Sequence, residues 1–218
     1  FKLSAFTISE ERENGAWAFI NDLHKKRMNA YHLARQKDSV PFHLYLNKNI
    51  DKRDLKDLKI RTTPIYRAFF SAMGASLIRT KPGDVYTALE RGTVDGYGWP
   101  TQGVLDLGWH EVTKYRVDPA FYRASVEVIL NDDAWNKLDA DQQKILQEAT
   151  GFMEALCSED QEINAAEMKK QADKGIETIT FGGAEGEAYV KQAYETGWAE
   201  FIKANPETGP KLKQLLSK

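Results

Sequence analysis

Apolar and polar positions are patterned most regularly between residues 54 and 100, and that stretch predicts three strands joined by two helices. Leu58-Lys59-Ile60-Arg61 is a short β-favouring run, and Thr63-Pro64 behind it offers an N-cap and a proline suited to a first helical turn. Ile65, Phe69, Ala72 and Met73 then recur at helical spacing up to Gly74, a residue that tolerates the positive φ at which helices end. Leu77-Ile78 reads as a second strand and Lys81-Pro82-Gly83 as a turn. Val85, Ala88 and Leu89 share one face of a second helix closed by Gly92, and Val94 opens a third strand that ends at Tyr97-Gly98-Trp99. Strand–helix–strand units with short links make right-handed crossovers and a parallel sheet, so the chain is α/β. Ligands of open α/β sheets lie beyond the carboxyl ends of the strands, where Arg61 and Trp99 both fall.

The flanking segments follow the same two periods. Ala16, Phe19, Ile20 and Leu23 mark an amphipathic helix whose basic end is Lys25-Lys26-Arg27. Tyr31-His32-Leu33-Ala34 and Phe42-His43-Leu44-Tyr45-Leu46 read as two strands separated by a loop at Lys37-Asp38-Ser39. Residues 102–109 predict a helix or tight turn, 115–122 a loop, and 123–130 a strand with Val126, Val128 and Leu130 on one face. The strongest helical pattern runs from Asp139 to Lys174, begun by the Asp139/Gln142 pair of a capping box and ended by lysines before Gly175. At ~1.5 Å per residue such a helix would extend roughly 54 Å, longer than a compact lobe, so it must bridge something, and Gly151 is a place where it can bend. Ile176 to Phe181 predicts a strand, and Tyr189 to Ala204 a final amphipathic helix.

Composition narrows the function classes. With 218 residues of which 42% are hydrophobic, the chain can bury one large core or two modest ones. A formal charge of −2 favours neither nucleic acid nor an anionic membrane as partner, and no apolar run is long enough to insert into a bilayer. Cys157, the lone cysteine, excludes an internal disulfide and a multi-cysteine metal site; it reads as a small buried hydrophobe on the apolar face of the long helix.

The chemistry is that of recognition. There is no G-x-S-x-G, H-E-x-x-H, Walker or cysteine–histidine spacing, and Gly92-x-x-x-Gly96-x-Gly98 lacks the dinucleotide offsets and reads as a turn. What stands out is one cation amid aromatic residues. Arg61 beside a helix N-terminus offers a forked cation and free N–H groups, suited to a carboxylate or phosphate, with a structural salt bridge as the alternative. Tyr97, Trp99, Phe69 and Tyr66 are candidate pocket walls, ordinary core packing being the alternative for each. An aromatic wall suits an acid with an apolar or ring-bearing body.

DLKDLKIRTTP, FFSAMGAS and VYTALERGTVDGYGWP, in this order and spacing, resemble the core of the substrate-binding receptors of TRAP transporters, the DctP-like family. The resemblance runs from about residue 40 to the C-terminus. It implies a two-lobed periplasmic binding protein-like fold with a long helix spanning both lobes. Residues 1–41 and 127–162 would form part of the first lobe, and 42–126 and 163–218 the second. Family receptors carry an additional N-terminal segment, so the chain is expected to lack the N-terminal part of its first lobe. Arg61 matches the arginine that holds an organic acid's carboxylate, and the V-D-G segment contributes further contacts. A second arginine often sits close to the position of His43, which is therefore a candidate ligand donor in its place, a structural role being the alternative. Trp99 matches a position that is either an amide or a tryptophan preceded by a metal-binding glutamate; Gly98 stands there instead, so no metal and no cofactor are expected. The implied protein is a periplasmic receptor that delivers a small organic acid to membrane permease subunits. A ligand-sensing domain of the same fold and an enzyme acting on carboxylates are the rival readings, the latter disfavoured because no acid–base pair accompanies Arg61.

Overall fold

The computed structural model describes residues 2–218 and organises them around one six-stranded mixed sheet. The strands are β1 (Ala30–Leu46), β2 (Lys59–Thr62), β3 (Ser76–Arg79), β4 (Gly96–Pro100), β5 (Tyr115–Asn131) and β6 (Glu177–Thr180), in the order β3-β2-β4-β1-β5-β6. The helices are α1 (Ile8–Glu13), α2 (Ala16–Met28), α3 (Arg67–Ala72), α4 (Val85–Glu90), α5 (Asp132–Lys137), α6 (Ala140–Ala155), α7 (Asp160–Asp173), α8 (Gly183–Ala204) and α9 (Gly209–Leu216). α9 was not anticipated from the sequence.

β2, α3, β3, α4 and β4 succeed one another as the hydrophobic pattern predicts, with β2 parallel to both β3 and β4. α3 starts at Arg67, not at Pro64: the Thr63 hydroxyl caps no N–H, and residues 63–66 form a turn closed by a 3.4 Å bond from the Tyr66 N–H to the Thr63 carbonyl. Ile65, expected to face inward, consequently lies 46% exposed.

Further expectations are corrected. Residues 30–46 form one strand of 17 residues, paired along its length with the 17-residue β5, so the loops expected at 37–39 and 115–122 are strand. Register shifts between Arg35 and Lys37 and between Lys37 and Val40 absorb the polar Lys37-Asp38-Ser39, with Ser39 at φ 55°. The long helix is also two helices, and its break is a 3₁₀ turn at Leu156–Glu159 rather than a bend at Gly151, which lies inside α6. This turn is tied to the irregular part of β1: Cys157 Sγ donates to the Gln36 carbonyl at 3.3 Å, and the Asp160 carboxylate accepts from the Asp38 N–H at 3.2 Å and Lys37 Nζ at 2.6 Å. Cys157 is thus a half-buried donor in a turn, its thiol pushed up by burial, and not a core hydrophobe. Finally, Gly96 and Gly98 lie within β4, not in a turn; a Cβ at Gly96 would sit 2.4 Å from the Tyr45 carbonyl oxygen.

Alternating side chains feed apolar layers on both faces of the sheet. Leu44, Leu46 and Ile60 pack with Phe69, Phe70, Phe121, Tyr122, Tyr189 and Trp198 on one side, and Tyr45 and Tyr97 with Val85, Leu89, Val94 and Trp109 on the other. A buried ion cluster joins α1 to the β1–β5 ribbon. Arg35, 1% exposed, pairs with Glu11 at 2.9 Å, Asp38 at 3.1 Å and Glu127 at 3.2 Å. Burial alone would raise the Glu127 carboxyl; the hydrogen bond from His32 and the Arg35 charge instead hold it well below the usual carboxylate range. No described helix is long and apolar enough to cross a membrane.

Candidate functional site

β2 carries Arg61 to the carboxyl end of the sheet, where the side chain is 1% exposed. Its Nε and Nη2 donate to the Thr80 carbonyl at 3.3 and 3.2 Å, and Nη1 donates to the Tyr66 hydroxyl at 2.7 Å. The guanidinium carbon lies 5.8 Å from the centroid of the Trp99 ring. Among the described residues Arg61 makes no ion pair with a carboxylate, in contrast to Arg35 and Arg116. A guanidinium has five N–H donors. Three are used, which leaves one N–H on each terminal nitrogen to meet an anion. A buried charge without a counter-ion carries an uncompensated desolvation penalty of several kcal/mol, which an arriving anion would offset. Thr80 Oγ1 and Trp99 Nε1, both on residues that adjoin Arg61, are likewise buried with no hydrogen-bond partner among the described residues.

The six residues proposed from the sequence do not form one site. Arg61, Tyr66 and Trp99 come together at the sheet end, and Trp99 packs edge-on against Trp109 at 4.6 Å. Tyr66 is 1% exposed, and burial pushes its phenol above the ordinary tyrosine range. His43 lies opposite Trp99 in the β1–β4 ladder. Its Nδ1 lies 3.0 Å from both the Val117 carbonyl and Asp118 Oδ1, while its buried Nε2 has no described partner. Tyr97 is fully buried, stacked on Tyr45 at 5.2 Å, with its hydroxyl 2.9 Å from Thr113 Oγ1; it is a core residue. Phe69 is also fully buried, on the opposite face, among Phe70, Phe121 and Tyr189.

Residues 44–205 match the family described as bacterial extracellular solute-binding protein, family 7, or DctP. The chain belongs to this family. It is 33% identical over 133 residues to the 2,3-diketo-L-gulonate-binding periplasmic protein of Escherichia coli strain K12, an alignment covering 58% of this chain and 40% of that protein. It is 30% identical over 102 residues to a monocarboxylate 2-oxoacid-binding periplasmic protein of Nostoc, covering 44% of this chain and 28% of that one. The alignments thus span less than half the length of these two relatives. A TRAP periplasmic solute-binding protein of Haemophilus influenzae with bound L-gulonate superposes with a TM-score of 0.82 at 20% identity, over 95% of this chain and 68% of that one. Another, from Desulfovibrio desulfuricans with bound sn-glycerol-3-phosphate, gives 0.85 at 17% identity, over 99% and 71% of the two chains. These likenesses establish the fold.

Within this DctP-family chain two open clefts flank the β1–β5 ribbon. One, of about 570 Å³, is lined by Ser9, Asp38, Arg123, Asp160 and Asn164, and the other, of about 610 Å³, by His43, Asp118, Arg123, Thr180 and Glu187. Neither includes Arg61 or Trp99, so cavity size and unpaired charge mark different places. Charge and orphaned donors carry more weight, because an open groove records shape alone. Arg123 and Thr80 escaped the sequence reading: Arg123 resembles any surface cation at a strand start, and Thr80 acts through a backbone carbonyl. Asp118 is held at about 2, because hydrogen bonds from His43 and Arg116 outweigh the upward effect of its burial. Among the described residues no three His, Cys, Asp or Glu side chains gather as a metal site.

Proposed function

We propose that the protein is a periplasmic receptor of a TRAP transporter, which grips a small organic acid by its carboxylate between two lobes and presents it to membrane permease subunits. The observation that carries this reading is the buried Arg61, with no carboxylate partner among the described residues and one free N–H on each terminal nitrogen. In this reading residues 1–41 and 127–162 belong to the first lobe and 42–126 and 163–218 to the second, with β1 and β5 as the strands that cross between them. Closure around the acid would shift an open–closed equilibrium toward the form that docks with the permease. Relatives support an acid as ligand: those quoted above are named for 2,3-diketo-L-gulonate and for monocarboxylate 2-oxoacids, and one solved neighbour holds L-gulonate. Binding rather than catalysis is supported by the neighbours of Arg61, a carbonyl and a phenol, neither of them an acid–base pair at neutral pH.

A thermal-shift screen with L-gulonate, orotate and short 2-oxo acids tests this reading. A ligand that binds only the folded state raises the melting midpoint with occupancy, by an amount equivalent to about 2.7 kcal/mol at a hundred times its Kd. NMR of the same mixtures should show every acid unchanged. No shift with any of these acids, or conversion of one of them, would sink the proposal.

A further inference from the structure

We propose that Tyr66 is a positioning residue for Arg61, and that position 98 is glycine to let the Tyr66 ring reach it. This rests on the carboxylate-gripping role proposed for Arg61. The Thr80 carbonyl fixes one edge of the guanidinium through Nε and Nη2, which by itself leaves Nη1 without an acceptor. The Tyr66 hydroxyl supplies that acceptor at 2.7 Å. Together the two contacts set the direction in which the remaining N–H pair points. Tyr66 and Arg61 are each only 1% exposed, so the hydroxyl is the acceptor that the fold itself provides for Nη1.

Tyr66 reaches this place from the turn between β2 and α3, on the face of β4 that bears Gly98. A Cβ at Gly98 would lie 3.1 Å from two ring carbons of Tyr66 and 3.2 Å from a ring carbon of Phe70, tighter than most side-chain contacts. Gly98 is not in the left-handed region, so its backbone conformation is open to any residue. Space for the ring is therefore the reason for glycine here. A methyl group would require the Tyr66 and Phe70 rings to give by a few tenths of an ångström, shifting the Tyr66 hydroxyl relative to the guanidinium it holds.

Side-chain ¹⁵N NMR of the ligand-free protein reads the positioning directly. The Arg61 Nη protons should be resolved and slow to exchange in the parent, and should merge into an averaged signal in both Tyr66→Phe and Gly98→Ala. Unchanged Arg61 signals in Tyr66→Phe would overturn the proposal. Calorimetric titration with L-gulonate and orotate gives a second readout. Loss of a hydrogen bond to a charged group predicts about tenfold weaker binding in Tyr66→Phe. Gly98→Ala, which shifts the hydroxyl without removing it, should weaken binding less, and the double variant should be no weaker than Tyr66→Phe, because both act through Arg61. Losses that multiply in the double variant, or binding by Tyr66→Phe within twofold of the parent, would show that the two residues serve packing alone. If Arg61→Ala leaves affinity unchanged, the carboxylate reading fails, while the NMR result still decides whether Tyr66 holds Arg61.

Discussion

Arg61→Met separates the two roles a buried arginine can have, because it keeps an unbranched side chain of similar length and removes the charge. In the ligand-free protein the change leaves the Thr80 carbonyl and the Tyr66 hydroxyl without their donor. Each unsatisfied group costs about 1–3 kcal/mol. The same change removes a cation that is 1% exposed and has no carboxylate beside it among the described residues, relieving a desolvation penalty of several kcal/mol. The two effects are of similar size and opposite sign, so urea unfolding should show stability altered by less than about 2 kcal/mol. Binding has no such compensation. A carboxylate that loses a desolvated partner forfeits about 2–5 kcal/mol, or roughly 30-fold to several-thousand-fold in affinity by calorimetric titration. Arg61→Lys should recover little, since an ammonium keeps the charge but not the planar two-point contact. If Arg61→Met loses more than about 4 kcal/mol of stability yet binds the acid within about threefold of the parent, the arginine is a structural element and the grip lies elsewhere.

Trp99→Ala removes the ring beneath Arg61 but not the charge, so it should cost affinity less than Arg61→Met and reorder the preference between L-gulonate and orotate; an unchanged order in competition titrations would mean that the ring does not meet the body of the ligand. Asp118 is depressed from 3.8 to about 2 in the folded protein, so its contribution, roughly 2 kcal/mol, is present above about pH 4 and lost as pH falls toward 2. Asp118→Asn should flatten the stability profile between pH 5 and pH 2 by about that amount in urea unfolding, and a profile parallel to the parent's would refute the assignment. Arg35→Ala strands Glu11, which is 0% exposed, and should cost about 3–5 kcal/mol by the same method. A loss under about 1 kcal/mol would show that water reaches the carboxylates once the cation is gone.

From β2 to β4 the fold was legible because each element there is specified by its near neighbours: a helical or alternating period, a glycine, a proline. Such patterns survive folding when the partner elements are close in sequence, as β2, β3 and β4 are. The Asp139 capping box was legible for the same reason, since its two members are three residues apart and both reciprocal bonds form. Arg61 could be singled out as well, because the end of a parallel strand can be located without knowing what packs around it.

Where the sequence misled, the deciding partner lay far along the chain. Lys37-Asp38-Ser39 reads as a loop because charged residues rarely sit mid-strand, yet Asp160, more than 120 residues away, satisfies Lys37 and the Asp38 amide. The stretch 115–122 is similar: Arg116 meets Asp118 beside it and Thr178 on β6, which makes its polarity compatible with a sheet. The long helix breaks where Cys157 and Asp160 reach β1, a preference that no helical period contains. The aromatic residues around Arg61 were equally ambiguous, since any of them could line a pocket or fill a core. Only the sheet's two faces decided that Tyr97 spends its hydroxyl on Thr113 while Tyr66 spends its own on Arg61, because hydrogen-bond geometry and burial belong to the assembled fold and not to the residue type.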